Sequence, residues 1–515
     1  MKVLVVDFGS QYTHLIARRV RELGVYSEIA HNQLTPEDIG KDVGAVILSG
    51  GPKSVYEENS PKLRPDTLKF LLERDIPILG ICYGHQLLAA ELGGEVRRGD
   101  SGEYGITILN VLKDDLIMAG TPKVQKVWMS HRDKVVTLPD GAVVIARTRY
   151  SEIAAFRYGD KVYGVQFHPE VKHTEYGREI LSNFLFRVAG LERSWSPEDL
   201  ASEKVKRIKD QYRGGNVLIA ASGGVDSTTA AVLTLRALGP DAVHLVVVDT
   251  GLLRAGEAEK VVRDLRKLGF KHVHLVNASS IFLSRLRGVT DPEEKRRVIA
   301  RTFFEIFTEY AKKLEEEYGK FRYLVQGTIY PDRIESGRAG VGSARIKSHH
   351  NVTLTEVLDL ELIEPINDLY KDEVRRLARA LGIPDEIVYK HPFPGPGLAV
   401  RIVGEITPEK LRIARKAHSI VEEELKKAGL YRELWQAFPV VLPVRSVGVM
   451  GDERTYEYVV ALRVVVSEDA MTAEFAKLPW NVIERIATRI VNEIEGVNRV
   501  VYDVTNKPPA TIEYE

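Results

Sequence analysis

The chain of 515 residues contains a single cysteine, and neither sign of charge is in excess. One cysteine cannot form an internal disulfide, a zinc ribbon or an iron–sulfur site, so these classes of protein are excluded. The 72 Lys and Arg residues balance 72 Asp and Glu residues. A neutral chain has no overall field that attracts a nucleic acid or an anionic membrane, so no nucleic-acid partner is expected.

Long apolar runs are also missing. The N-terminal segment MKVLVVDFG reaches Asp7 after a short apolar run, and no later run approaches the ~18 apolar residues of a membrane span. We therefore expect no membrane partner and a cytoplasmic location. With 44% hydrophobic and 28% charged residues the composition is that of a folded globular protein, and at about 150 residues per domain the length predicts three domains.

The alternation of short apolar runs with helical segments predicts an α/β fold. Strands are expected at 3–6, 45–48, 76–81, 216–221, 243–248 and 272–276. The predicted architecture is two doubly wound parallel-sheet domains followed by a smaller α+β domain. The predicted domains are 1–190, 191–390 and 391–515.

Several segments mark the predicted boundaries. A polar helix within 194–215 connects the first two domains, and the proline-rich run HPFPGPGLAVR at 391–401 forms a stiff joint before the third. Residues 327–352 show no helical or strand periodicity over about 25 positions, which indicates a functional lid. The third domain is expected to contain a helix at 408–427 and strands at 445–450 and 456–466.

The one cysteine, Cys82, lies in PILGICYGHQLLAAEL, where an apolar strand ends and a helix begins at once. Gly80 and Gly84 permit a sharp turn, which holds the side chain out at the sheet edge. The helix N-terminus there favours the thiolate, the nucleophilic form. A lone cysteine is often a small buried hydrophobe, but this turn favours a catalytic nucleophile.

The segment GVQFHPE at 164–170 supplies a base and a group to orient it. Pro169 favours an extended conformation at His168, so the side chains of His168 and Glu170 point to the same side. A thiolate needs an imidazole to accept and return protons, and a carboxylate fixes the tautomer of that imidazole. We predict a catalytic triad of Cys82, His168 and Glu170.

Together with SGGP at 49–52, these segments resemble the class I glutamine amidotransferases in order and spacing, over roughly residues 1–190. The resemblance implies that Cys82 attacks the side-chain amide of glutamine, forms a glutamyl thioester and releases ammonia. It further implies that the backbone N–H groups of Gly51 and Tyr83 hold the oxyanion. Gln86 would help to bind glutamine.

A second site is predicted where the strand NVLIAA runs into SGGVDST and a helix. Glycines let the backbone approach phosphate oxygens, and the helix start offers N–H groups to an anion. The loop lacks the GK[ST] ending of a Walker A motif, and we expect it to bind ATP. Asp226 could hold the Mg²⁺ that accompanies ATP, although a helix N-cap role is equally compatible with its position. The predicted ATP-binding residues are Ser222, Gly223, Gly224, Val225, Asp226, Ser227 and Thr228.

This loop resembles that of the ATP pyrophosphatases, which release AMP and pyrophosphate with Mg²⁺ offsetting the developing charge. Six further segments resemble the family of glutamine-hydrolysing GMP synthases over essentially the whole chain: VVDTGLLR, QGTIYPDRIES, IKSHHN, HPFPGPGLAVR, LPVRSVGVMGDERTY and KPPATIEYE. The resemblance implies conversion of xanthosine monophosphate (XMP), ATP and glutamine into GMP, AMP, pyrophosphate and glutamate. It also implies a homodimer formed through the third domain.

The same resemblance assigns further residues by position. The expected XMP-binding residues are Arg254, Lys507, Ile512 and Glu513, and the expected lid residues are Lys347, His349 and His350. The structural alternatives are a solvated loop charge at Arg254 and a frayed chain end for the C-terminal tail KPPATIEYE, residues 507–515.

Two other classes of protein share one of these motifs. A thiolase that modifies RNA would need catalytic cysteines near the phosphate loop and a basic surface, whereas this chain has one cysteine, in the other predicted domain, and a net charge of zero. A regulator built on an inactive amidotransferase fold would be expected to lack a triad member, and all three members are present. Both alternatives are therefore disfavoured.

Overall fold

A computed structural model describes residues 1–333, 358–467 and 472–515 of the chain. The chain divides into two compact units, Met1–Ser196 (unit 1) and Pro197–Glu515 (unit 2). Within the described ranges, no helix combines the length and the apolar character needed to cross a membrane. The predicted boundary between 390 and 391 lies inside unit 2.

The division between the units falls after Ser196 rather than after Gly190, where the sequence placed it. The amides of Ser194 and Trp195 both donate to the carbonyl of Gly24, at 3.0 and 2.9 Å. The indole of Trp195 also packs on the ring of Tyr26, with centroids 4.6 Å apart. The first residues of the expected connector therefore belong to unit 1.

Unit 1 is built on a sheet of nine strands in the order β2-β1-β3-β4-β9-β8-β7-β5-β6. The first five strands in this order are parallel, and the other four extend the sheet with antiparallel pairing. The strands are β1 Lys2–Asp7, β2 Tyr26–His31, β3 Val43–Leu48, β4 Ile78–Ile81, β5 Glu95–Val111, β6 Val124–Thr137, β7 Ala142–Arg147, β8 Ala155–Tyr158 and β9 Val162–Val165.

Strands β4 and β9 are buried at every residue, as central strands of an α/β sheet are. Helix α1 buries Ile16, Ala17 and Val20 along one face, the spacing of an amphipathic helix. The helices of unit 1 are α1 Thr13–Glu22, α2 Pro65–Glu73, α3 Tyr83–Glu91 and α4 Gly177–Asn183, the last continued by a π-helical turn over Phe184–Val188.

Unit 2 begins with a five-stranded, fully parallel sheet in the order β12-β11-β10-β13-β14. Its strands are β10 Asn216–Ala220, β11 Val243–Asp249, β12 His272–Asn277, β13 Phe321–Val325 and β14 Glu361–Ile363. The helices of this part are α5 Ala201–Gln211, α6 Val225–Leu238, α7 Glu257–Lys267, α8 Ser279–Arg285, α9 Pro292–Tyr318, α10 Lys371–Ala380 and α11 Asp385–Val388.

A second sheet follows in the same unit. Strand β16 lies at its centre, antiparallel to β15 and β17 and parallel to β18. The elements are α12 Pro408–Lys427, β15 Gln436–Met450, β16 Glu453–Val466, β17 Glu474–Phe475, α13 Trp480–Glu493 and β18 Val497–Tyr502. Leu218 and Leu324 of the first sheet share one buried apolar core with Val460 and Leu462 of the second.

The predicted α/β class is confirmed, and the strands expected in the first two predicted domains are present within two residues of their predicted bounds. The two strands expected in the third are longer than predicted, since β15 begins at Gln436 rather than at 445 and β16 at Glu453 rather than at 456. The antiparallel extension β8-β7-β5-β6 of the first sheet was not predicted. The greater part of the predicted lid, residues 334–352, lies outside the described residues.

Candidate active site

Cys82 stands at the sharp turn between β4 and α3. Its backbone has φ +53° and ψ −102°, a conformation that L-residues rarely adopt. The flanking glycines are required by space, since a Cβ on Gly80 would lie 2.4 Å from the carbonyl oxygen of Gly84. A Cβ on Gly84 would lie equally close, 2.4 Å, to the carbonyl oxygen of Leu48. The turn expected from the sequence is therefore present.

The thiol of Cys82 is buried at the N-terminus of α3, with 6% of the residue exposed. Its Sγ lies 3.8 Å from the carbonyl oxygen of Ser130 on β6. The predicted nucleophile therefore lies at the start of a helix and beside β6.

His168 and Glu170 follow β9 and are paired with each other. Nδ1 of His168 lies 2.7 Å from Oε1 of Glu170, and both side chains are buried. Burial by itself lowers the pKa of His168, but the charges of Glu170 and Cys82 more than offset it and hold that pKa well above its usual value. The imidazole can therefore keep the proton that the thiol of Cys82 gives up when it becomes a thiolate.

Gly51 and Tyr83, the residues expected to hold the oxyanion, lie close together. The amide of Gly84 donates to the carbonyl of Ser49 at 3.0 Å, which holds the loop after β3 against the turn at Cys82. A Cβ on Gly51 would lie 3.1 Å from Cγ of Tyr83. Tyr83 is the first residue of α3, so its amide has no intrahelical acceptor. The structure therefore brings Gly51 and Tyr83 together beside Cys82.

Gln86 lies one turn along α3 and is buried. Its side-chain amide nitrogen donates to the carbonyl of Asp133 at 2.8 Å and to Oε1 of Gln166 at 3.1 Å. Both N–H groups are engaged within the protein, so only its oxygen is available to a substrate. Its assignment to glutamine binding stays a prediction.

Sequence reasoning missed the contribution of β6 to this site. Asp133 accepts hydrogen bonds from the hydroxyls of Ser54 and Tyr56, the latter at 3.0 Å. Nε2 of His131 lies 3.1 Å from Glu103, a buried carboxylate on β5. The run of four polar residues SHRD at the middle of β6 was the available signal, but its pairing with β5 spans a register shift that no local pattern reveals.

In unit 2, the predicted phosphate loop lies between β10 and α6. Gly223 has φ +70°, and a Cβ there would lie 2.2 Å from a methyl group of Val261, so only glycine fits. The hydroxyls of Ser222 and Ser227 lie 3.0 Å apart across the loop. Gly224 is the N-cap of α6, whose first turn therefore directs its free N–H groups at the loop.

Asp226 fits the role of a cation ligand in part. Its Oδ2 is paired with the ammonium of Lys371 at the start of α10, a residue the sequence analysis did not select. Its Oδ1 is buried and has no hydrogen-bond partner. One carboxylate oxygen is thus available to Mg²⁺ beside a lysine suited to phosphate, and no N-cap bond by this side chain is formed, since the cap is Gly224.

Two of the predicted XMP-binding residues, Arg254 and Glu513, each contact the proline-rich segment. The guanidinium of Arg254 lies 4.5 Å from the ring centroid of Phe393, and that of Arg401 lies 5.0 Å from the same ring. Arg401 in turn is paired with Glu513. Arg254 is tied to Glu257 and is not a solvated loop charge, because only 9% of its side chain is exposed.

The tail is fixed along its length. Ile512 is buried, and its carbonyl and that of Thr511 accept hydrogen bonds from Arg463, a fully buried residue. The backbone of Lys507 exchanges hydrogen bonds with Ala473 at 2.7 and 3.0 Å. A frayed end is excluded by these contacts. The lid residues Lys347, His349 and His350 lie outside the described part of the chain.

Comparison with known proteins gives a consistent result. The model of the family "Glutamine amidotransferase class-I" matches residues 4–188, and that of "GMP synthase C terminal domain" matches residues 423–514. A glutamine-hydrolyzing GMP synthase of Aquifex aeolicus is 53% identical over 517 residues, with 100% of this chain and 99% of that protein covered. The enzyme of that name from Symbiobacterium thermophilum is 54% identical over 523 residues, with 100% of this chain and 99% of that protein covered. The one from Thermotoga maritima is 52% identical over 514 residues, with 100% of both chains covered. The chain belongs to the family of glutamine-hydrolyzing GMP synthases.

Proposed function

We propose that the two units divide the synthesis of GMP from glutamine, ATP and XMP between them, with ammonia made in unit 1 and used in unit 2. What supports this division is the buried pairing of His168 with Glu170 beside Cys82, in a chain similar over its whole length to glutamine-hydrolyzing GMP synthases. The phosphate loop at 222–228 lies in the other unit.

In unit 1, the thiolate of Cys82 adds to the side-chain carbonyl carbon of glutamine. The backbone N–H groups of Gly51 and Tyr83 stabilise the oxyanion that forms. The imidazolium of His168 donates its proton to the departing nitrogen, ammonia leaves, and a glutamyl thioester remains on Cys82. His168 then takes a proton from water, whose oxygen attacks the thioester and releases glutamate.

In unit 2, the carbonyl oxygen on C2 of the XMP base attacks the α-phosphorus of ATP, and the bond to the β-phosphate breaks. The loop residues 222–228 and Lys371 hold the departing pyrophosphate. Ammonia then adds to C2, and the bond between C2 and the adenylylated oxygen breaks to release AMP. Adenylylation is needed because the unmodified oxygen is a very poor leaving group.

Mg²⁺ is the cofactor that this chemistry requires, because it neutralises charge on the phosphates of ATP. Oδ1 of Asp226 would hold this ion, and the absence of a hydrogen-bond partner for that oxygen supports the assignment. Lys371 keeps the other oxygen of that carboxylate in place.

The enzyme forms a homodimer through the second sheet of unit 2. Three apolar side chains on β15 and β16 are 60 to 72% exposed: Val447, Val449 and Tyr456. Val447 and Tyr456 are direct partners across the two strands, so they share one face. Light scattering of Val449→Glu should give a monomer where the unchanged protein gives a dimer.

The chemistry is tested by the fate of the C2 oxygen. With ¹⁸O at C2 of XMP, the label should appear in AMP, and the products should be AMP and pyrophosphate. Recovery of the label in inorganic phosphate would show a phosphorylated intermediate and contradict the proposal. Replacing glutamine with an ammonium salt should leave the route of the label unchanged.

A further inference from the structure

We infer that Thr174 is a positioning residue for glutamine hydrolysis, acting through the backbone of His168. Thr174 lies in the segment that connects His168 to α4 and is 5% exposed. Its side chain does not touch the imidazole through any hydrogen bond. We expect Thr174 to fix the position of the His168 side chain relative to Cys82.

The contacts of Thr174 close a ring of three hydrogen bonds. Its Oγ1 donates to the carbonyl oxygen of His168 at 2.6 Å and accepts from the amide of Trp128 at 3.0 Å. The amide of His168 donates to the carbonyl oxygen of Trp128 at 3.0 Å. A hydroxyl is required here, because one atom has to donate and accept at the same time.

These three hydrogen bonds attach the segment from His168 to Thr174 to the outer edge of β6, the last strand of the nine-stranded sheet. The attachment continues one step further, where the amide of Glu175 donates to the carbonyl of Lys126 at 3.0 Å. The same strand carries the Ser130 carbonyl that contacts the thiol of Cys82. Strand β6 therefore contacts both the nucleophile Cys82 and the segment that carries the base His168.

The chain around Thr174 is closely packed and cannot relax to compensate for the loss of these three hydrogen bonds. A Cβ on Gly177, the first residue of α4, would lie 2.0 Å from the carbonyl oxygen of Pro169, so the chain is closely folded on itself there. The ring of His173 packs on the indole of Trp128, with centroids 4.7 Å apart. A shift of the Thr174 backbone would therefore be passed to His168.

The inference rests on the proposed role of His168 as the base. A displacement of a catalytic group by about 1 Å costs on the order of 100-fold in rate. Thr174→Val keeps the shape of the side chain and removes the hydroxyl, whereas Thr174→Ser keeps the hydroxyl. We expect Thr174→Val to lower kcat for glutamine hydrolysis roughly 10- to 100-fold, with KM for glutamine within about twofold of its original value.

The control is the same chain supplied with an ammonium salt in place of glutamine, for which the rate of GMP formation should be unchanged in all variants. Thr174→Ser should keep kcat within about threefold of the unchanged protein. If Thr174→Val does not fold, Thr174→Ala, which also removes the hydroxyl, is compared with Thr174→Ser in its place, and equal kcat in these two variants would overturn the inference.

Wild-type kcat in Thr174→Val, or equal losses in the Val and Ser variants, would overturn the inference. The underlying assignment is tested separately by His168→Ala. If that variant still hydrolyses glutamine at the original rate, the assignment of His168 as the base is wrong, and the positioning role of Thr174 is refuted as well. If His168→Ala is inactive and Thr174→Val is not impaired, only the positioning role is refuted.

Discussion

Arg401 and Glu513 form a two-point ion pair, with donor–acceptor distances of 2.8 and 3.1 Å, between the proline-rich segment and the tail. The guanidinium also lies 4.0 Å from the ring centroid of Phe438. Burial lowers the pKa of Arg401, and the Glu513 carboxylate opposes that effect. The pair therefore holds a charge that would be costly to leave without a partner, and it fixes Glu513 against the proline-rich segment.

Glu513→Gln should weaken XMP binding. The substitution keeps the size of the side chain but leaves Arg401 without its countercharge, so the site loses its geometry. We expect KM for XMP to rise about tenfold, equivalent to ~1.4 kcal/mol if KM tracks affinity. Glu495→Gln, at an exposed position, is the matched control. An unaltered KM for XMP in Glu513→Gln would refute the assignment of Glu513.

Removal of residues 507–515 should destabilise unit 2 as well as impair XMP binding. Lys295 is fully buried and pairs with the side chain of Glu515, and its pKa is lowered by burial. Breaking a buried ion pair typically costs about 3–5 kcal/mol. Urea unfolding should therefore show a lower midpoint for the truncated chain. The rate of glutamine hydrolysis without nucleotides should change little, and an unchanged midpoint would mean that these contacts contribute nothing to stability.

Cys82→Ala should separate the two activities. Glutamine-dependent GMP synthesis should be lost, whereas synthesis from an ammonium salt should continue, because only the source of ammonia is removed. The measurement is GMP formation with each nitrogen donor on the same preparation. Loss of both activities in a folded variant would contradict the assignment of the chemistry to two sites.

Acid should destabilise unit 2 through a cluster of three histidines. His244 on β11 packs against His272 on β12 with ring centroids 4.3 Å apart, and its Nδ1 lies 3.3 Å from Nε2 of His274. Burial first, and then the two neighbouring imidazoles, lower the pKa of His244 to about 4. Glu317 on α9 opposes this shift at His272 and His274, while Lys271 adds to it at His272.

The sign of the effect follows from proton binding. The unfolded chain binds the proton of this histidine near pH 6.5, and the folded chain does so only near pH 4, so stability is full above pH 6.5 and falls as the pH drops between these values. Allowing for solvent screening, the free energy of unfolding should be lower at pH 5 than at pH 7 by about 1–2 kcal/mol. Calorimetry of His244→Phe should show a smaller fall in Tm between pH 7 and 5 than the unchanged protein. His31→Asn, at an exposed position, should show the same fall as the unchanged protein, and equal falls in all three would exclude the cluster as the cause.

Local signals were sufficient wherever one segment determines its own conformation. The helix predicted at 408–427 has those bounds in the structure, because Thr407 accepts a hydrogen bond from the amide of Lys410 and Pro408 stands at the first helical position. The turn at Cys82 was readable for the same reason, since Gly80 and Gly84 flank it.

Contacts between distant segments could not be predicted in this way. Arg401 was seen only as the end of a stiff joint, because its partner Glu513 lies 112 residues away. The ring of hydrogen bonds around Thr174 depends on β6, whose edge position follows from the order of nine strands. Such pairings are determined by tertiary packing and leave no period or spacing in the sequence.

The apolar core that spans both sheets of unit 2 has a consequence for how that unit melts. Because Leu218, Phe307, Leu411 and Val460 belong to one buried cluster, neither sheet can open without exposing part of the core of the other. Residues 197–515 should accordingly unfold in a single cooperative transition. A fragment that ends at 390 would expose a large apolar face to water and should aggregate rather than persist as an independent domain.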